Sequence, residues 1–260
     1  MLASAAPGPW PDGFTPYTFH HTVSSIAWAS IAFGLVLLAA RWRGTSAENH
    51  LRTSVVSGVA VSQALMVVYW LEPARFSWGT SLPLHMCDLV AWLTPLALLV
   101  RWRPVRAVVF FWGLGLTTQA FVQPTLLYGL QHGVYWFFWV QHAAVLLGGL
   151  YLWVVLGYRP GRSDFAFVGG LSAAAAAITA LVNWQTGWEY FFTGPEPPEN
   201  DTIIDYLGPW PLRVVWLWCL AMGAMAIIWG LSVVASRFVD APRDDAPDGT
   251  AAAERPTSAS

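Results

Sequence analysis

The run Leu84-His85-Met86-Cys87-Asp88-Leu89 sets an imidazole, a thiol and a carboxylate within four residues. Such a set can do nucleophilic acyl chemistry: sulfur attacks a carbonyl, a base removes the thiol proton, and a carboxylate orients the base. The surrounding segment reads as membrane-spanning, where an Asp at a helix centre costs roughly 2.5 to 3.5 kcal/mol on insertion scales. Groups kept in hydrocarbon at that cost bind, react or pair, so this run is the first candidate for a site.

Helical geometry divides the roles. His85 and Asp88, three apart, share a face on a regular helix, so Asp88 can hold the imidazole in one tautomer. Cys87 points some 200° away from His85 at about 100° per residue. On that geometry His142, on another helix, is the better base for the thiol, and a Cys–His pair of this kind can carry an acyl group as a thioester. Gln119, Gln123 and Asn183, with Trp184 beside it, are the candidate substrate-binding residues, their carboxamides able to donate to a developing oxyanion. Interhelical hydrogen bonding is the competing reading of the two glutamines, as is a satisfied core histidine for His142.

The elements that must position these groups follow from composition. Hydrophobic residues make up 56% of the 260-residue chain and charged residues 11%, and there are 17 tryptophans. That balance is far from a soluble domain. Apolar stretches fall at 22–40, 53–71, 82–100, 107–130, 133–158, 165–188 and 214–236, and about 20 residues suffice to cross a bilayer. The expected fold is all-α, a polytopic bundle of seven transmembrane helices. Ser81 is the expected N-cap of the third, with Pro83 in its first turn.

Charge placement orients the bundle, since short cytoplasmic loops are enriched in Lys and Arg. Arg41, Arg43 and Arg52, then Arg101, Arg103 and Arg106, then Arg159 and Arg162, then Arg237 and Arg243 fall in alternate connections. The other connections hold Glu72 with Arg75, no charge, and an acidic stretch from Glu189 to Asp205. The N-terminus is therefore expected outside and the C-terminus in the cytoplasm. Cys87, His142, Gln119, Gln123 and Asn183 then share the outer half, and suggest a polar pocket opening to the outer leaflet. Residues 1–16 read as a flexible segment, 17–238 as the transmembrane domain and 239–260 as a disordered tail. The connection from Glu189 to Tyr206 is long enough for a lid or binding loop as well as for a plain acidic loop. Cys87 and Cys219 have no paired spacing, and Cys219 reads as a small buried hydrophobe. Trp136, Trp139, Trp184 and Trp188 also read as interfacial anchors.

The ordered set His85-Met86-Cys87-Asp88, Trp112-Gly113, Gln119 with Pro124, His142, Leu150-Tyr151-Leu152, Gly157-Tyr158-Arg159-Pro160, Asn183-Trp184 and Leu207-Gly208-Pro209-Trp210-Pro211 resembles the YwaF-like bacterial integral membrane proteins over residues 20–235. That family is similar to the animal transmembrane protein 164, a lipid acyltransferase with an active-centre cysteine in a His-x-Cys-His setting. Cys87 and His85 match that pattern, and Asp88 stands where the animal protein has His. The resemblance implies a cysteine-dependent phospholipid acyltransferase or lipid-remodelling enzyme of the plasma membrane, with membrane lipids as partners, no nucleic acid and no cofactor.

Rival classes remain. All 13 basic residues are Arg, and without Lys no Schiff base to retinal forms, which removes that seven-span class. A zinc-dependent lipid hydrolase would need His85 and His142 plus Cys87 or Asp88 around the metal. Haem held between the two histidines, a proton- or ion-coupled transporter using Asp88, and a receptor or assembly protein with a structural polar core are the others.

Overall fold

The computed structural model describes residues 13–196 and 203–238. Among the described residues seven α-helices follow one another: α1 Phe19–Arg41, α2 Ser46–Trp70, α3 Met86–Leu99, α4 Arg103–Phe110, α5 Gly133–Val154, α6 Arg162–Thr186 and α7 Leu212–Ala235. α4 runs on as a π-helical stretch Phe111–Leu116 and a 3-10 stretch Thr117–Phe121. Among the described residues there is no β-strand, only an isolated bridge between Gly13 and Tyr128. The end carrying the α2–α3, α4–α5 and α6–α7 connections is termed upper, and the opposite end lower.

α1, α2, α5, α6 and α7 are long and apolar enough to cross a membrane. Their outward faces carry large apolar side chains such as Leu37, Leu65, Ile178, Trp216 and Ile227, the pattern of helices solvated by lipid rather than water. The chain is a membrane protein with several apolar helices. α3 has only 14 residues, about 21 Å at 1.5 Å per residue, short of the roughly 30 Å hydrocarbon core.

The reason for α3's shortness corrects the expected start. Ser81 does not cap it: its N–H donates to Ser77 O at 2.8 Å and its Oγ accepts from Ser77 N–H at 2.9 Å, closing a separate turn. Leu82 to Leu84 stay non-helical, and His85, extended at φ −66° and ψ 153°, is the N-cap. Asp88 is the third helical residue and its Oδ2 accepts from the His85 N–H at 3.1 Å, which satisfies an end group and sets an acid at the positive end of the helix dipole. His85 therefore lies outside the helix, and the shared-face geometry drawn from a continuous helix does not apply.

α5 is the axis. Two-thirds of its apolar window is buried, against 11 to 22% for the other four long helices, and it packs against α1, α2, α3 and α4. Gly148 and Gly149 make that possible. A Cβ at Gly148 would stand 2.5 Å from Thr94 Cγ2 of α3, and one at Gly149 would stand 2.6 Å from Leu114 Cγ in the π stretch. Gly148→Ala gains about 1 kcal/mol in helix propensity and loses typically 1 to 3 to overpacking against a stiff β-branched partner. We expect a net fall in melting temperature of the purified protein, and a rise would show that α3 yields.

The lower end is tied by charge. Arg103 binds Asp164 through two hydrogen bonds of 2.9 and 2.8 Å, and the buried Tyr151 hydroxyl donates to Glu48 of α2. Arg106, expected in a loop, is buried instead, its Nε donating to the final carbonyls of α3 at Ala97 and Val100. Residues 13–16, expected to be flexible, include Phe14, which is buried against Tyr135 and Trp139 with its N–H on Leu127 O. The expected tail and residues 1–12 lie outside the described residues.

Candidate functional site

The site is built at the upper end of α3. Cys87, half-buried, is the second residue of that helix, and its Sγ lies 4.0 Å from Asp88 Oδ1. Asp88 is buried, and both its oxygens are held: Oδ2 by the His85 N–H and Oδ1 by Gln141 Nε2 of α5 at 2.8 Å. As the second residue of α3, Cys87 stands among the first-turn main-chain N–H groups, which have no partner within the helix.

The His85 ring packs against Tyr190 at 4.9 Å between centroids and faces Phe192 at 6.4 Å. Those rings come from the segment after α6, which folds back over the site. Phe191 and Phe192 have φ of 59° and 58°, the left-handed region that bulky residues adopt only when surroundings force it. The forcing groups are visible. Asn183, fully buried, accepts from the Tyr190 N–H at 3.2 Å and donates to Tyr190 O at 2.7 Å and Thr193 Oγ1 at 3.1 Å. Arg213 at the start of α7 donates to Gly194 O at 2.6 Å and Pro195 O at 3.0 Å, and Trp210 Nε1 donates to Thr193 O at 3.1 Å.

The Tyr190 hydroxyl donates to Trp78 O at 2.7 Å, joining this segment to the α2–α3 connection. Beside that joint is an open depression of about 490 Å³ lined by Phe76, Trp78, Thr80, Trp188 and Glu189. Burial holds the Glu189 carboxyl above the usual glutamate range, against the opposing pull of the Gly194 N–H and Arg213. Burial likewise raises the Tyr190 phenol, with Asp88 within electrostatic reach.

The structure brings His85, Cys87 and Asp88 together and separates the rest. His142 is buried, but its Nδ1–H donates to Phe138 O of its own helix at 2.6 Å and its ring lies on Phe138; neither contact reaches Cys87. Its neighbour Gln141 faces α3 instead, because the two are 100° apart on α5. Gln119 is exposed on the 3-10 stretch, and Gln123 lies beyond its end, so the two do not share a regular helical face. Asn183 spends its carboxamide on the loop. Trp184 is exposed and stacks on Trp210 at 6.3 Å. Cys219, read as buried, is exposed. Among the described residues no three His, Cys, Asp or Glu side chains converge as a metal set.

Gln141 and Tyr190 are the residues that sequence reasoning missed. Gln141 had a signal, a carboxamide in an otherwise apolar buried helix; Tyr190 had none, because only the backward fold of its loop brings it to His85.

No curated protein and no solved structure matches the chain. A family model does, the one described as the TMEM164 family, over residues 16–229, a range that takes in α1 to α6, most of α7 and every residue of the Cys87 cluster. The chain belongs to the TMEM164 family.

Proposed function

We propose that this protein is a seven-span plasma-membrane acyltransferase that moves a fatty acyl chain between phospholipids through a thioester on Cys87. The observation that carries the reading is the Asp88 carboxylate, held by two hydrogen bonds with Oδ1 4.0 Å from a half-buried thiol at a helix N-terminus. In this reading α3 with its extended lead-in, and the α4 run to Phe121, are the third and fourth spans. The arginine pattern supports a cytoplasmic lower end and, with it, a site that opens to the outer leaflet.

Asp88 is the base the geometry favours, and His142 is not. Two anions so close in an apolar setting repel, so Asp88 acts by taking the thiol proton as sulfur attacks, not by standing beside a preformed thiolate. The step balances as follows. Sγ bonds to the ester carbonyl of the donor lipid, the C–O bond breaks, and the departing alkoxide takes the proton from Asp88. In the second half the acceptor hydroxyl gives its proton to Asp88, its oxygen attacks the thioester, the C–S bond breaks, and sulfur recovers the proton. The N–H groups of α3's first turn are the donors that face the oxyanion, in place of the carboxamides of Gln119 and Asn183. The aromatic depression with Glu189 at its rim suits a cationic headgroup, which rings attract through their faces.

Incubating the purified protein with a phospholipid carrying a labelled sn-2 chain tests this directly. We expect label on Cys87 that hydroxylamine releases, absent from Cys87→Ser. Stoichiometric transfer without any label on protein would end the thioester route.

A further inference from the structure

α2 carries a buried polar residue that belongs to none of the hydrogen-bonded clusters at either end of the bundle. Gln63 is 1% exposed, and its Oε1 has no hydrogen-bond donor among the described residues. A buried acceptor left unpaired is costly and calls for a partner. Glu48, Val59, Gln63 and Met66 form the buried stripe of α2; α2 packs against α3 and α5, and Glu48 at the lower end of the stripe receives the Tyr151 hydroxyl of α5.

The helix register gives the level. α2 and α5 are antiparallel: Glu48 near the lower end of α2 meets Tyr151, and Tyr69 near its upper end meets Phe137 at 5.6 Å and reaches Gly133. Gln63 lies between those two contacts and nearer the upper one, opposite the stretch of α5 that carries Gln141. Gln141 in turn fixes the level of α3 through Asp88. α2 also packs along α3. The orphaned acceptor thus shares the layer of Cys87, Asp88 and Gln141 and lies on the α2 side of it.

We propose that Gln63 positions the acyl acceptor: Oε1 accepts the hydrogen bond of the lysophospholipid hydroxyl and aims its oxygen at the Cys87 thioester. The role rests on the acyl-transfer reading, and it concerns only the second half-reaction. A carboxamide oxygen suits it because it binds a hydroxyl without removing its proton, leaving that proton for Asp88. Gln63 is a positioning residue, acting before the bond forms, and its loss appears chiefly as weaker use of the acceptor.

The experiment uses full-length protein in phosphatidylcholine vesicles, with a labelled sn-2 chain as donor and lysophosphatidylcholine as acceptor. Both Gln63→Leu and Gln63→Met are made, so that one poorly folding variant does not decide the matter. Each is expected to melt no lower than wild type, having lost a buried orphan, and to accumulate thioester on Cys87. Each is also expected to raise the acceptor KM at least tenfold, and Gln63→Glu, which keeps an acceptor oxygen, to recover part of that loss. Unchanged acceptor KM in variants that still form the thioester overturns the role of Gln63 alone. Absence of thioester in wild type overturns the acyl-transfer reading and this inference with it.

Discussion

Asp88→Asn lowers the acyl-transfer rate by an expected 10² to 10⁴-fold, the usual range for losing a positioned general base. The substitution keeps size and shape, yet it disturbs the hydrogen bonds. Both Asp88 oxygens receive donors, the His85 N–H and Gln141 Nε2. An Asn presents one oxygen and one NH2, so with its oxygen on the His85 N–H its NH2 meets the Gln141 NH2 unless that carboxamide turns over, and the charge that strengthened both bonds is gone. Asp88→Asn is therefore expected to loosen the start of α3 as well, seen as faster hydrogen exchange of the Cys87 and Asp88 amides. Gln141→Leu separates the two effects. It removes one partner of the carboxylate but leaves the base, and is expected to cost less than Asp88→Asn while still slowing thioester formation. If Asp88→Asn transfers acyl chains at the wild-type rate but loses proton-coupled uptake of a solute, the residue belongs to a transporter, and the mechanism above is wrong.

The second large effect is one of stability. Asn183→Ala strands the buried Tyr190 N–H and removes the donors to Tyr190 O and Thr193 Oγ1. An orphaned buried group costs about 1 to 3 kcal/mol, and Thr193 Oγ1 still donates to Tyr190 O, so a loss of roughly 2 to 4 kcal/mol follows. The larger part falls on the loop, because Phe191 and Phe192 hold left-handed backbone only while both ends are fastened. Limited proteolysis between residues 188 and 196 is expected to accelerate strongly, and tyrosine-specific modification of Tyr190 to follow. Equal cleavage rates in the variant and the parent would show that Arg213 and Trp210 hold the loop unaided.

How much was legible beforehand differs element by element. The five long helices are plain in the apolar runs, within a few residues of α1, α5, α6 and α7, because length and uncharged composition carry that signal. α2 starts seven residues earlier than its apolar run, at Ser46, since buried Glu48 is paired with partly buried Arg52 and receives the Tyr151 hydroxyl. The start of α3 was misread because Ser81 followed by Pro83 is a valid helix opening by local rules. The winning signal was the less familiar one, Asp88 three residues after His85. In the π stretch that continues α4, Gly113 and Gly115 pack where a Cβ would come to 3.1 Å from Val145 Cγ1 and 3.2 Å from Met225 Cγ; such fits exist only between helices and leave no periodic trace.

At the site, Cys87 and Asp88 announced themselves by their cost in an apolar setting. Their true neighbours did not. Gln141 and His142 are adjacent in sequence, and choosing between them requires the rotation of α5 about its axis, which the nearly uniform apolarity of that helix hides. Asn183 looked like a donor for chemistry and is a fastener, a distinction that rests on a loop whose path no local rule determines.

The central position of α5 bears on how the molecule is made. The helices that pack along it, α1 to α4 with the π and 3-10 continuation of α4, are all synthesised earlier, so they have no axle to gather on until Gly133 to Val154 emerges. Biogenesis of this chain accordingly has a commitment point at its fifth hydrophobic segment, and nascent chains halted before it are the ones that quality control would meet unassembled.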